Sequence, residues 1–313
     1  MKQFLVLIAT SFLLYRCMPE AQNENLVYQN IIILSDLSDR IKPTINGNIP
    51  NQQYPPKDTT EIHKILMFFK DMCVMPGKKI NDKSSISFSA FSNKSIACIS
   101  SSTFSNESIA SIDIDTIKDL GPKQQFVNST NEDEHNNLDY KIDVFKQKVK
   151  CAYDSIQNKG VDLISVTIDK IENKQIIKEN RILTNGTDTT FINYDNHIYI
   201  FTDGYLEYKG KSVNNQFYFG NPEIYKIRQY CKANNVDIET ALKKNNLLCL
   251  PPVKNDKNHL INLHILETHE RDKNTKLQAY RNPKGLRDNE ILEAVWSKWA
   301  TESGFKSFEW KKY

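Results

Sequence analysis

Two aspartates end two apolar runs that lie far apart in the chain. The first run is Asn30-Ile31-Ile32-Ile33-Leu34-Ser35-Asp36, continuing as Leu37-Ser38-Asp39-Arg40; the second is His197-Ile198-Tyr199-Ile200-Phe201-Thr202-Asp203-Gly204. Short runs apolar at every position read as strands buried on both faces, the pattern of a parallel sheet. In open α/β sheets, ligands bind beyond the carboxyl ends of the strands. Two carboxylates at two such ends make a cation-binding crevice the chemistry these residues suggest.

The elements that must hold them follow from periodicity. A strand is expected over 30–35. Asp58 with Glu61 resembles a capping box that opens a helix through Ile62, Ile65, Leu66, Phe69 and Met72, stopped by Pro76-Gly77. Alternation over 85–92 and again over 95–99, around Asn93-Lys94, reads as an antiparallel hairpin. Residues 121–137 are polar and loop-like. Ile142, Phe145, Val149, Tyr153 and Ile156 mark one helical stripe, and Val161 opens the next helix through Ile168 and Ile171. Residues 181–196 read as a turn-rich, irregular insertion before the Asp203 strand. A helix from Pro222, a strand over 260–267 and a helix capped by Asp288 and stopped at Gly304 complete the order. This is an α/β chain with a mostly parallel central sheet, one antiparallel edge hairpin and helices on both faces.

Four of these segments together resemble von Willebrand factor A domains. Asp36-Leu37-Ser38-Asp39-Arg40 is similar to their Asp-x-Ser-x-Ser motif, and Thr202-Asp203-Gly204 to their Thr-Asp-Gly segment. The strand ending Ala90-Phe91-Ser92-Asn93 resembles their second strand, and Gly160-Val161-Asp162-Leu163 takes the place of their Gly-Thr-Asp/Asn loop. The resemblance implies a single domain over 30–313, of Rossmann type. It also implies a metal-ion-dependent adhesion site, with Asp36, Ser38, Asp162 and Asp203 as its oxygens and Mg2+ or Mn2+ as its ion. The match is partial. Arg40 stands where the second hydroxyl belongs and Val161 where the threonine belongs, so the expected site is degenerate. The Arg40 guanidinium then does the cation's electrostatic work between Asp36 and Asp203.

Residues 1–17 carry a positive start at Lys2 and an apolar stretch over Phe4–Leu14, of signal-peptide length and too short to span a bilayer. Leu14-Tyr15-Arg16-Cys17 resembles the lipobox of bacterial lipoproteins, although small residues are usual where Tyr15 and Arg16 stand. The expectation is an exported envelope protein lipidated at Cys17, with residues 18–29 as a polar tether; a plain cleaved signal peptide is the first alternative and an uncleaved anchor the last. Cys98 and Cys151 fall in apolar periodicity, as buried thiols do, while Cys231 and Cys249 are a conceivable pair. His264 and His269 have no third zinc ligand spaced nearby.

A formal net charge of +3 over 313 residues argues against nucleic acid as partner. There is no nucleophile elbow and no Gly-rich phosphate loop. Three functions fit. The first is a binding module that offers the loops after the two Asp strands to a protein or peptide, held to a membrane by its lipid. The second is a metal-assisted hydrolase built on Asp36, Asp39 and Asp203. The third is a structural envelope component whose site is vestigial.

Overall fold

The computed structural model describes residues 23–37, 54–74, 83–91, 108–129, 136–154, 162–173, 176–186, 188–208, 217–267, 271–274, 279–280 and 285–312; at 23, 54–56 and 91 only the backbone is described. Cys17, Ser38, Asp39, Arg40, Cys98, Val161 and His269, and the expected return strand at 95–99, lie outside them. By internal contacts the chain divides into two units.

The larger unit comprises 29–178 and 195–313. The strands are β1 (Asn23–Asp36), β2 (Ser85–Phe91), β3 (Ala110–Asp113), β4 (Arg181–Asn185), β5 (Asp188–Thr202), β6 (Ile261–Glu267), β7 (Lys273–Asn274), β8 (Ala279–Tyr280) and β9 (Ser307–Lys312). The main sheet has the order β3-β2-β1-β5-β6-β9, and β7 and β8 form a separate antiparallel pair. β1 runs parallel to β2, and β5, β6 and β9 run parallel to one another. The Asn30 amide donates to Asn196 Oδ1 at 2.7 Å. Nearer the amino ends, the Asn193 amide donates to Asn25 Oδ1 and the Tyr28 and Tyr194 rings lie 6.1 Å apart, so the contacts advance in the same sense along both strands. β1 and β5 therefore run the same way, and Asp36 and Asp203 come to the same edge.

The helices are α1 (Tyr54–Cys73), α2 (Leu120–Asn128), α3 (Leu138–Asp154), α4 (Leu163–Asn173), α5 (Asn221–Asn234), α6 (Ile238–Lys244) and α7 (Asp288–Ser303). Successive side chains of a strand point to opposite faces, and β1 feeds two cores accordingly. Ile31 and Ile33 pack with Ile62, Leu66 and Phe69 of α1 and Ile142, Phe145 and Val149 of α3. Ile32 and Leu34 pack with α4, α5 and α7, including Trp296 and Trp299. That double burial explains the unbroken apolar run. Truncating Ile33, fully buried, to alanine costs about 2–5 kcal/mol.

Several sequence expectations change. The described antiparallel partner of β2 is β3, with Ile86 opposite Ile112. α1 starts at Tyr54, so Asp58 lies in its second turn rather than at its cap. The Asp58 carboxylate is fully buried and accepts from the Tyr153 hydroxyl at 3.0 Å; that hydroxyl also lies 2.7 Å from Ser35 Oγ, beside Asp36. The polar stretch 121–137 contains most of α2, in which Pro122 sits in the first turn, where a missing N–H is harmless. Asp288 is the first residue of α7, and Glu290 caps that helix by accepting from the Arg287 N–H at 2.9 Å. Gly304 does end it, at φ +88°. Cys151 is disulfide-bonded, not a buried thiol, and Cys231 and Cys249 are free.

The smaller unit comprises residues up to Tyr28 with 179–194. The expected irregular insertion is a hairpin: β4 (Arg181–Asn185) pairs antiparallel with β5, closed by Asn185 opposite Asp188. Asn185-Gly186 is a strong hairpin turn signal, and Gly186 adopts φ +63°. β4 is exposed throughout, Ile182 and Leu183 included, which removes the alternation that marks most strands. Tyr28, Ile192 and Tyr194 form its small core, and β1 begins at Asn23, within the expected tether.

Candidate functional site

Asp36 and Asp203, 6% and 4% exposed, mark the carboxyl edge of the larger unit's sheet. Gly204 turns the chain at the exit of β5 with φ +84°, and its carbonyl accepts from Trp296 Nε1 at 2.9 Å. A Cβ there would stand 2.6 Å from the Trp310 ring, so only glycine fits. The turn leaves Asp203 Oδ1 accepting from the Tyr205 N–H at 3.1 Å and Thr202 Oγ1 accepting from the Gly204 N–H at 3.1 Å.

The positive charge at Asp203 comes from Arg271, four residues after β6. Its Nε donates to Asp203 Oδ2, and a terminal nitrogen donates to Glu207 Oε2 at 2.6 Å. The guanidinium lies 4.4 Å over the Tyr205 ring, a cation–π contact. Burial opposes the Arg271 charge, but Asp203 and Glu207 outweigh it and push its pKa up. Arg40, expected in this role, lies outside the described residues.

A second pair lies next to the first. The Tyr205 hydroxyl donates to Asp288 Oδ2 at 2.6 Å, and Arg228 of α5 ion-pairs with Asp288 Oδ1. Arg228 Nε also donates to the Leu286 carbonyl at 2.8 Å. Burial and the Asp288 bond raise the Tyr205 phenol far above its ordinary value. The Asp288 N–H donates to Asp272 Oδ2 at 3.2 Å. These bonds tie the loops after β5 and β6 to α5 and the start of α7.

Glu267 ends β6 as Asp36 and Asp203 end their strands, and it is 2% exposed. Burial pushes its carboxyl up to about 7, although Trp310 Nε1 donates to its Oε2 at 2.9 Å. Asp203 and Asp272 add to the rise. Asp272 is raised as well, first by burial.

Asp162 caps α4: its carboxylate accepts from the Ser165 N–H at 3.1 Å and the Ser165 hydroxyl at 2.7 Å. The chain leaving α4 reaches the amino ends of the strands, where the Asn30 amide donates to the Ile176 carbonyl at 2.7 Å. An eleven-residue helix spans about 16 Å, so Asp162 returns to the carboxyl edge. The topology thus brings Asp36, Asp162 and Asp203 to one end of the sheet.

The described donors do not fit a metal. Both Asp203 oxygens hold protein donors, and so do both Asp162 oxygens. Among the described residues no three His, Cys, Asp or Glu side chains converge as ligands. The chain matches no known family model, no curated protein and no solved structure. Sequence reasoning missed Arg271, Tyr205, Glu207 and Glu267. The signal that finds Glu267 and Arg271 is the third strand ending in an acid, Ile261–Glu267, four residues before an arginine.

Proposed function

We propose that this protein is a binding module of the bacterial envelope, with a von Willebrand factor A-like domain whose adhesion site has become metal-independent. It offers the loops after β1 and β5 to a protein or peptide partner. Cys17 carries the lipid that holds it to a membrane. The observation that supports this reading is the closed ion pair at the carboxyl edge: Arg271 sits on Asp203 where the full family motif has a cation. A disulfide at Cys151 fits an oxidising compartment. The hydrolase reading is the weaker one, since a carboxylate clamped by a guanidinium is a poor metal ligand or base.

The test places a photo-crosslinking residue in cells at Glu207, on the carboxyl edge, and in a second variant at Asn255. A partner crosslinked from Glu207 alone, unchanged by a divalent-cation chelator, is the expected result. Crosslinks from Asn255 alone, or loss on chelation, sink the proposal. Thermal melting should be insensitive to Mg2+. Cys17→Ser should move the protein out of the detergent phase.

A further inference from the structure

On the face of the larger unit's sheet opposite α7, four polar side chains form one line across three strands. Asp195 Oδ2 lies 3.0 Å from His197 Nε2. His197 Nδ1 lies 2.9 Å from His264 Nε2, and His264 Nδ1 lies 2.7 Å from Glu309 Oε2. The odd-numbered side chains of β5 face away from Ile198 and Ile200, which pack in the α7 core. Both histidines are mostly covered, with side chains 16% and 13% exposed.

Three contacts need three protons. Two ionised carboxylates bring none, and two neutral imidazoles bring one each. If each ring donates to its carboxylate, two bare nitrogens face each other at 2.9 Å, and lone pairs at that distance repel. One more proton between the rings removes the conflict: an imidazolium donates to a neutral imidazole, and each ring still donates to its carboxylate. The ring geometry agrees. Centroids 5.2 Å apart, with planes 24° apart, are what two rings reaching about 1.15 Å from centre to nitrogen give when N–H and N lie on one line. A metal ion on that line would need the nitrogens about 4 Å apart, at metal–nitrogen bonds of ~2 Å.

We propose that His197 and His264 form a proton-binding site, holding one shared proton in a four-group relay that clamps β5, β6 and β9 on this face. Proton uptake adds one positive charge between Asp195 and Glu309, and the bound proton comes from and returns to solvent. Among the described residues, the other charged or titratable groups facing the pair are Tyr199 of β5, stacked on the His264 ring with centroids 4.4 Å apart, and Lys306 before β9, 3.2 Å from Asp195 Oδ1. Two directions support the proton's placement. Burial, outweighing Glu309, keeps His264 below its ordinary value, which favours His264 as the neutral ring of the pair. Asp195 is held low by His197 and Lys306, although burial opposes this. As pH rises and the shared proton leaves, the rings must separate or turn, and the clamp opens.

The test is nitrogen NMR of the full chain with labelled histidine, from about pH 5 to 8, the range in which histidines change charge. At low pH three of the four ring nitrogens should carry protons, with a coupling across the His197 Nδ1–His264 Nε2 bond. Both rings should lose that pattern in one step. Glu309→Gln, at an exposed carboxylate, should shift the step down by roughly one pH unit, and Asp195→Asn should do the same. Separate titration of the two rings, absence of the coupling at every pH, or a step unmoved in both variants would each overturn the proposal.

Discussion

Replacing Arg271 with leucine tests the ion pair at the carboxyl edge. The substitution leaves Asp203, 4% exposed, and the half-buried Glu207 without their shared cation. Removing one partner of a buried pair costs about 3–5 kcal/mol, because the remaining charge is stranded. Arg271 is itself 23% exposed, and water can reach the vacated space, so the lower end applies, about 3 kcal/mol. At roughly 2–3 °C per kcal/mol for a chain of this size, the melting temperature should fall by about 6–9 °C. Urea unfolding at pH 7, followed by tryptophan fluorescence, reads the same loss. Asp203→Asn alone and the double variant complete a cycle, and a coupling of at least about 1 kcal/mol between the two positions is expected. Arg271→Lys keeps the charge but loses the fork that bridges two carboxylates, so it should fall between wild type and leucine. Additive effects, or an Arg271→Leu variant within about 0.5 kcal/mol of wild type, would refute the claim that the pair holds this edge together.

Three further outcomes follow from the same edge. Glu267 holds a proton in the folded state up to about pH 7 that the unfolded chain releases near 4.5, so its contribution to stability declines as pH rises between those values, by about 3 kcal/mol in all; Glu267→Gln should flatten that slope in unfolding curves from pH 5 to 8 and stabilise the protein at pH 8. Tyr205→Phe removes the donor to buried Asp288 and should cost about 1–3 kcal/mol, read by the same urea assay. Gly204→Ala combines a left-handed φ with contact against Trp310, and a loss of roughly 1–3 kcal/mol is expected by thermal melting; an unchanged melting temperature would show that the turn relaxes freely.

Strand and helix positions with one or two buried stripes were legible in the sequence. Ile31 to Leu34 and Ile198 to Phe201 are apolar at every position because each strand feeds cores on both faces. The Leu138–Asp154 helix and the Asp288–Ser303 helix show their stripes clearly. Elements with little burial were not legible. β4 buries no side chain, and β9 alternates only Phe308 and Trp310 against exposed neighbours. In α2 burial is confined to Lys123, Phe126 and Val127. Asp58 shows the limit of local rules: a carboxylate three residues before a glutamate fits a capping box, yet tertiary burial against Tyr153 claimed it.

The site was half legible for a topological reason. Asp36 and Asp203 announce themselves because each terminates a buried run, and periodicity carries that far. The charge that neutralises Asp203 has no local signature. Reading along the chain offers Arg40, four residues from Asp36 and outside the described residues, whereas proximity in an α/β sheet follows strand order. β6 lies beside β5, so the loop after β6 arrives next to the end of β5, and Arg271 meets Asp203 across 68 residues. Burial makes the Glu267 carboxyl at the end of β6 hard to ionise, and the neighbouring Asp203 adds to it. An edge that gathers acids from neighbouring strands must raise their pKa values, bind a cation or recruit a basic side chain. Here Glu267 takes the first course and Asp203 the third. The arginine is covalently part of the fold, so its local concentration at Asp203 does not depend on the divalent ions in solution.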